Sequence, residues 1–116
     1  MKTIVVTGTS SGIGYEICTQ AANLSYNVIS ISRNIEPLSK VNGVESHSVD
    51  ITDKKSISDF VEDLSKRNIK IDILINNAGH LSNELFSETS YKSFKDTFDV
   101  NVFGLAEITR SLIPLI

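Results

Sequence analysis

The stretch TGTSSGIG, Thr7 to Gly14, constrains this chain more than any other. It follows KTIVVTG, whose β-branched residues over positions 2–7 read as a fully buried strand. It also opens a segment of helical period from Gly12 to about Leu24, with Ile13, Ile17, Ala21 and Leu24 as its stripe. A glycine loop between a buried strand and a helix is the setting in which a backbone cradles a dinucleotide's phosphates. Gly8 permits the tight turn, Gly12 lets the backbone approach a pyrophosphate, and Gly14 lets the helix pack against the strand. The phosphates belong at the helix N-terminus, where free N–H groups and the macrodipole favour anions. The spacing is G-x-x-x-G-x-G and the loop holds no lysine, which excludes a P-loop.

The rest of the chain repeats the alternation. YNVISIS (26–32) is a second apolar strand, VESHSVD (44–50) a third and IDILINN (71–77) a fourth. Residues 35–41 are ambiguous, with Pro37 and Leu38 able to start a short helix. Asp53 caps a helix whose stripe is Ile57, Phe60, Val61 and Leu64. From about Ser90 to the end a long helix carries Phe94, Phe98, Val102, Leu105, Leu112 and Ile116 on one face. The order is βαβαβαβα, which predicts an α/β fold with a parallel sheet covered on both faces. This is one half of a Rossmann-type doubly wound sheet, with expected strand order 3-2-1-4, and residues 1–116 read as a single, partial domain.

Composition excludes several function classes. Net charge is −3, and the eleven lysines and arginines are scattered, so neither nucleic acid nor an anionic membrane surface is an expected partner. No apolar run reaches membrane-spanning length, and none resembles a secretion signal. The single Cys18 precludes an internal disulfide, fits a reducing cytoplasm, and reads as a buried core thiol. His47 and His80 are far apart in sequence and lack a ligand cluster, so no metal is expected.

TGTSSGIG, Asp50, NNAG at 76–79 and Asn101 in FDVNVFG together resemble the short-chain dehydrogenase/reductase family, in that family's order and over the whole chain. The resemblance implies reversible hydride transfer between a nicotinamide dinucleotide and a small-molecule carbonyl or alcohol. It places Ser10, Ser11, Gly12 and Ile13 around the pyrophosphate and ribose. Asp50 accepts from the adenine amino group, Ile51 flanks the ring, and Asn77, Ala78 and Gly79 line the adenosine-side ribose. Asn76 ties neighbouring strands together, His80 falls near the nicotinamide end, and Asn101 is the assisting residue that holds a helix kink.

Cofactor choice is read at the end of the second strand. An NAD site puts Asp or Glu there to accept from the ribose 2′-OH; this chain has Ser32-Arg33-Asn34. With no carboxylate to repel a 2′-phosphate and Arg33 able to pair with one, NADP(H) is favoured over NAD(H).

One motif misleads. YKSFK, 91–95, sets Tyr91 and Lys95 four apart, the spacing of the family's catalytic pair. In the family that pair follows the helix asparagine, and a catalytic serine precedes it. Here Tyr91 and Lys95 come before Asn101, and Ala78 stands where the serine is sought. The expectation is that this pair is coincidental, that the chain lacks the catalytic Ser, Tyr and Lys, and that it is inactive alone. The alternatives are a stand-alone dinucleotide-binding or regulatory module without catalysis, or a decayed product with neither property. The apolar edge of IDILI, and a final helix apolar on more than one side (Val100, Phe103, Ala106, Ile113), predict association, with a homo-oligomer through residues 90–116.

Overall fold

The computed structural model describes residues 1–116. Four parallel strands form one sheet: β1 Thr3–Thr7, β2 Asn27–Ser32, β3 Val44–Ser48 and β4 Ile73–Ile75. Their order is β3-β2-β1-β4, the order expected of one half of a Rossmann-type sheet. Helices α1 (Gly12–Asn23), α2 (Lys54–Lys66), α3 (Tyr91–Phe98) and α4 (Leu105–Leu112) connect or follow them. The ambiguous stretch 35–41 holds a 3-10 turn, Glu36–Leu38, with Pro37 near its start and Leu38 buried.

Successive strand residues point to opposite faces, so the sheet divides the core in two. Ile4, Val6 and Val28 meet Cys18 and Ala21 of α1, together with Leu38. Val5, Ile29 and Ile31 meet Ile57, Phe60 and Leu64 of α2, and Ile108 and Leu112 of α4. Cys18 is buried as expected, and burial pushes its thiol up to about 11, away from thiolate reactivity.

Two helical stripes differ from the sequence expectation. In α1 the inward face is Gly14, Cys18 and Ala21, while Ile13 and Leu24 are exposed. The stripe is rotated because Gly14, having no side chain, takes the closest approach to the loop. The long C-terminal helix is interrupted: Asp99–Gly104 is a π-helical turn between α3 and α4, and a 3-10 turn, Ile113–Leu115, ends the chain. The wider turn offsets the helical faces on its two sides. Gly104, Ile108, Leu112 and Leu115 therefore face inward, and of the expected stripe only Leu112 is buried. Phe94 and Phe98 do not seal the sheet; Phe94 packs on Phe86, ring centroids 5.5 Å apart.

β4 stops at Ile75, two residues before the sequence reading, for a visible reason. The N–H groups of Asn77 and Ala78 both donate to Thr7 Oγ1, at 3.1 and 3.0 Å, instead of continuing the ladder. Their backbone turns away from β1 and becomes the wall of a cleft.

Candidate cofactor cleft

The carboxyl ends of β1, β2 and β3 and the segment after β4 surround a cleft of about 590 Å³. Among its walls are Gly8, Ser10 and Ser11 from the glycine loop, Ser32 and Arg33 after β2, Asp50 and Ile51 after β3, and Asn77, Ala78 and Gly79 after β4. Four segments distant in sequence thus converge, because parallel strands end on the same side of a sheet.

The loop geometry follows from its glycines. Gly8 has φ +71°, and a Cβ there would stand 2.6 Å from Ala78 Cα, so the turn and the close approach both require glycine. A Cβ on Gly14 would lie 2.2 Å from Gly8 O and 2.5 Å from Asn77 Nδ2. Gly12, by contrast, has open space where a Cβ would stand. Asn77 Nδ2 donates to Gly8 O at 2.9 Å, locking the two loops together.

The α1 terminus differs from the starts of α2 and α3. Asp53 accepts from the N–H groups of Lys55 and Ser56, and Ser90 accepts from that of Ser93. Ser11, at the cap of α1, makes no side-chain capping bond, and no acidic residue occupies the first turn. The first amides of α1 are left for an anion, which is the fit a pyrophosphate requires.

Asp50 is held as a carboxylate. Thr52 donates to its Oδ1 from both Oγ1 (2.6 Å) and N (2.9 Å). These bonds, the hydroxyl's above all, lower its pKa, and the charge of Arg33 adds to the effect. Its second oxygen has no partner in the chain. Arg33 is itself distinctive: Arg67 and Arg110 form ion pairs and Arg33 forms none.

Not every expected residue reaches the cleft. Gly12, Ile13, Gly14, Asn34 and Asn101 are outside its walls; Gly12, Asn34 and Asn101 adjoin a residue that lines it, and Ile13 and Gly14 do not. Asn101 acts at one remove: Nδ2 donates to His80 O at 2.8 Å, and Oδ1 accepts from His80 N at 2.7 Å. This double bond fixes the chain leaving Gly79 against the π-helical turn. Asn76 does not tie strands together, since its Nδ2 donates to Thr109 Oγ1 of α4. Asn77 and Thr7 do that work.

The sequence reading passed over Thr7, Thr52, Asp96, Asp99 and Val100. Thr52 carried a signal, because Asp-x-Thr closes a local turn on the aspartate oxygen. Asp99 and Val100 line the cleft from the start of the π-helical turn, and Asp96 from the last turn of α3 just before it. Tyr91 and Lys95 are not in its walls; Lys95 pairs with Asp99 at 2.8 Å, and Tyr91 is 82% exposed. Elsewhere Glu45, His47 and Asp63 come within ligand distance of one another. The Arg67 guanidinium already bonds both carboxylates there, at 2.6 and 2.8 Å to Glu45 and 2.9 Å to Asp63, so the cluster is an ion-pair network. No helix is long and apolar enough to cross a membrane.

Comparison with known proteins agrees with this geometry. The family model described as short chain dehydrogenase matches residues 2–116. A short-chain dehydrogenase structure from Streptomyces avermitilis superposes with TM-score 0.89 at 35% identity, covering 98% of this chain and 44% of the other. One from Leptospira borgpetersenii with bound NAD+ gives 0.91 at 29% identity, covering 98% and 45%. The NADPH-dependent pterin aldehyde reductase of Arabidopsis thaliana is 29% identical over 98% of this chain and 50% of its own length. The chain spans about half the length of the curated relatives it matches. On the family match over nearly every residue, the chain belongs to the short-chain dehydrogenase family.

Proposed function

We propose that this chain is the cofactor-holding part of an NADP(H)-dependent oxidoreductase that interconverts a carbonyl and an alcohol. The observation that carries the reading is Arg33: an exposed guanidinium in the cleft wall, free of ion pairs, where an NAD site would present a carboxylate. It pairs with the ribose 2′-phosphate. Asp50, held ionised by Thr52, accepts from the adenine amino group, and Ile51 flanks the ring. The uncapped amides of α1, with Ser10 and Ser11 beside them, bind the pyrophosphate. Asn77, Ala78 and Gly79 line the adenosine-side ribose, and Asn101 keeps them in place through His80. When bound, the nicotinamide ring gives or takes the hydride.

The proton donor is a different matter. Tyr91 and Lys95 lie outside the cleft, so the catalytic serine, tyrosine and lysine come from polypeptide beyond these residues, and this chain alone binds cofactor without turnover. The relatives' greater length leaves room for them. We place the protein in the cytoplasm, with residues 90–116 as its homo-oligomer contact and residues 1–116 as one partial domain.

Calorimetric titration tests the reading directly. The chain is expected to bind NADPH more tightly than NADH, Arg33→Ala to abolish the difference, and Asp50→Ala to weaken both. Binding of neither cofactor, or tighter binding of NADH, would sink it.

A further inference from the structure

We infer that Ser48, a residue in none of the sequence motifs, positions Arg33 and thereby sets the discrimination between NADP(H) and NAD(H); this rests on the function proposed above. Ser32 and Ser48 end β2 and β3 and are partners in the parallel register. The ladder is closed beneath them, with Val49 N–H donating to Ser32 O at 3.0 Å. From this paired base the two hydroxyls diverge onto one turn. Ser32 Oγ donates to Asn34 O at 2.6 Å, and Ser48 Oγ donates to Arg33 O at 3.1 Å. Asn34 Oδ1 in turn accepts from Glu36 N at 3.1 Å, tying the turn to the following 3-10 segment.

The arrangement has a physical consequence for Arg33. Its side chain is exposed and has no partner in the chain, so only its backbone can define where the guanidinium starts. Ser48 supplies the one bond to that residue's carbonyl from outside its own segment. A serine hydroxyl has a single proton, and here the Arg33 carbonyl takes it. Ser48 therefore does not donate to a 2′-phosphate at the same time; it acts through Arg33. A guanidinium held in place loses less freedom on binding an anion than one on a loose turn. The effect is confined to the cofactor that carries the 2′-phosphate.

The test measures dissociation constants of NADP+ and NAD+ for the 116-residue chain and four variants. In Ser48→Ala the preference for NADP+ is expected to fall about threefold to tenfold, the size of one neutral hydrogen bond, through weaker NADP+ binding alone. Ser48→Thr keeps the hydroxyl and restores the preference. In Arg33→Ala the preference is already lost, and adding Ser48→Ala changes nothing further. An unchanged preference in Ser48→Ala, or equal weakening of NAD+, overturns the role of Ser48 and leaves the cofactor reading intact. A wild-type chain that binds both cofactors alike, or neither, overturns both.

Discussion

β1 and β4 lie side by side in one sheet, yet they live in different surroundings. All five residues of β1 are buried, with a strand bonded on each side. β4 has three residues, one neighbour and no fully buried position. The contrast extends to the helices. α2 buries Ile57, Phe60 and Leu64 and leaves no large apolar side chain exposed, whereas Phe103, Ile113 and Ile116 around α4 remain exposed. β3, the sheet's other edge, is largely polar (VESHS), whereas the β4–α4 side sets apolar surface, Ile73 included, beside its unpaired strand edge. Such edges are ordinarily covered, and half of each relative's length lies beyond the region matched here.

The largest expected effects test that contrast within one helical stretch. Ile108 is fully buried, and Ile108→Ala should cost about 3–4 kcal/mol in urea unfolding. Phe103 is 63% exposed, and Phe103→Ala should cost less than about 1 kcal/mol. Comparable losses would mean the outer face is covered in solution, which breaks the comparison. Next comes the tightest point beside β1. Gly14→Ala puts a methyl 2.2 Å from Gly8 O and should destabilise by about 2–3 kcal/mol. A neutral result would show the glycine loop to be looser than β1's burial suggests.

Asn101→Ala sharpens the boundary between the two sides. It removes both bonds to the His80 backbone, and a loss of about 1 kcal/mol is expected because the site is partly solvated. Faster hydrogen exchange at the His80 amide, without change in β1, is the signature. The smallest effect concerns Glu45, whose carboxyl the Arg67 guanidinium lowers to about 2 from 4.5. Because the folded value is the lower one, its contribution is complete above pH 4.5 and disappears as pH falls toward 2. The pair is exposed, so Glu45→Gln should make the acid limb of the stability curve only slightly shallower. Superimposable curves for the two proteins would assign Glu45 no part in it.

What was legible in the sequence shares one property: it depends on neighbours along the chain. The parallel sheet follows from alternation, the α2 cap from Asp53, and the phosphate loop from Gly8 and Gly14. Each rests on backbone rules that act over a few residues. Most of the cleft wall was legible for the same reason, since the motifs sit at strand ends and a parallel sheet gathers those ends. The inward face of α1 was not, because Ile13 and Leu24 have the right period and the wrong phase.

The sequence by itself determined the parallel α/β architecture and the place where its strand ends meet. Local propensity, period and glycine geometry suffice for that. The tertiary structure decided which face of each helix is inside, and that Thr7 rather than Asn76 joins the loops. It also decided that the end of α3 and the π-helical turn at Asp99–Gly104 bring Asp96 and Asp99 into the cleft wall while Phe94 and Phe98 stay off the sheet. These outcomes depend on hydrogen bonds between groups 20 to 70 residues apart, such as Asn101 with His80 and Thr7 with Asn77. No periodicity along the chain encodes them, because their partners meet only once the sheet has formed.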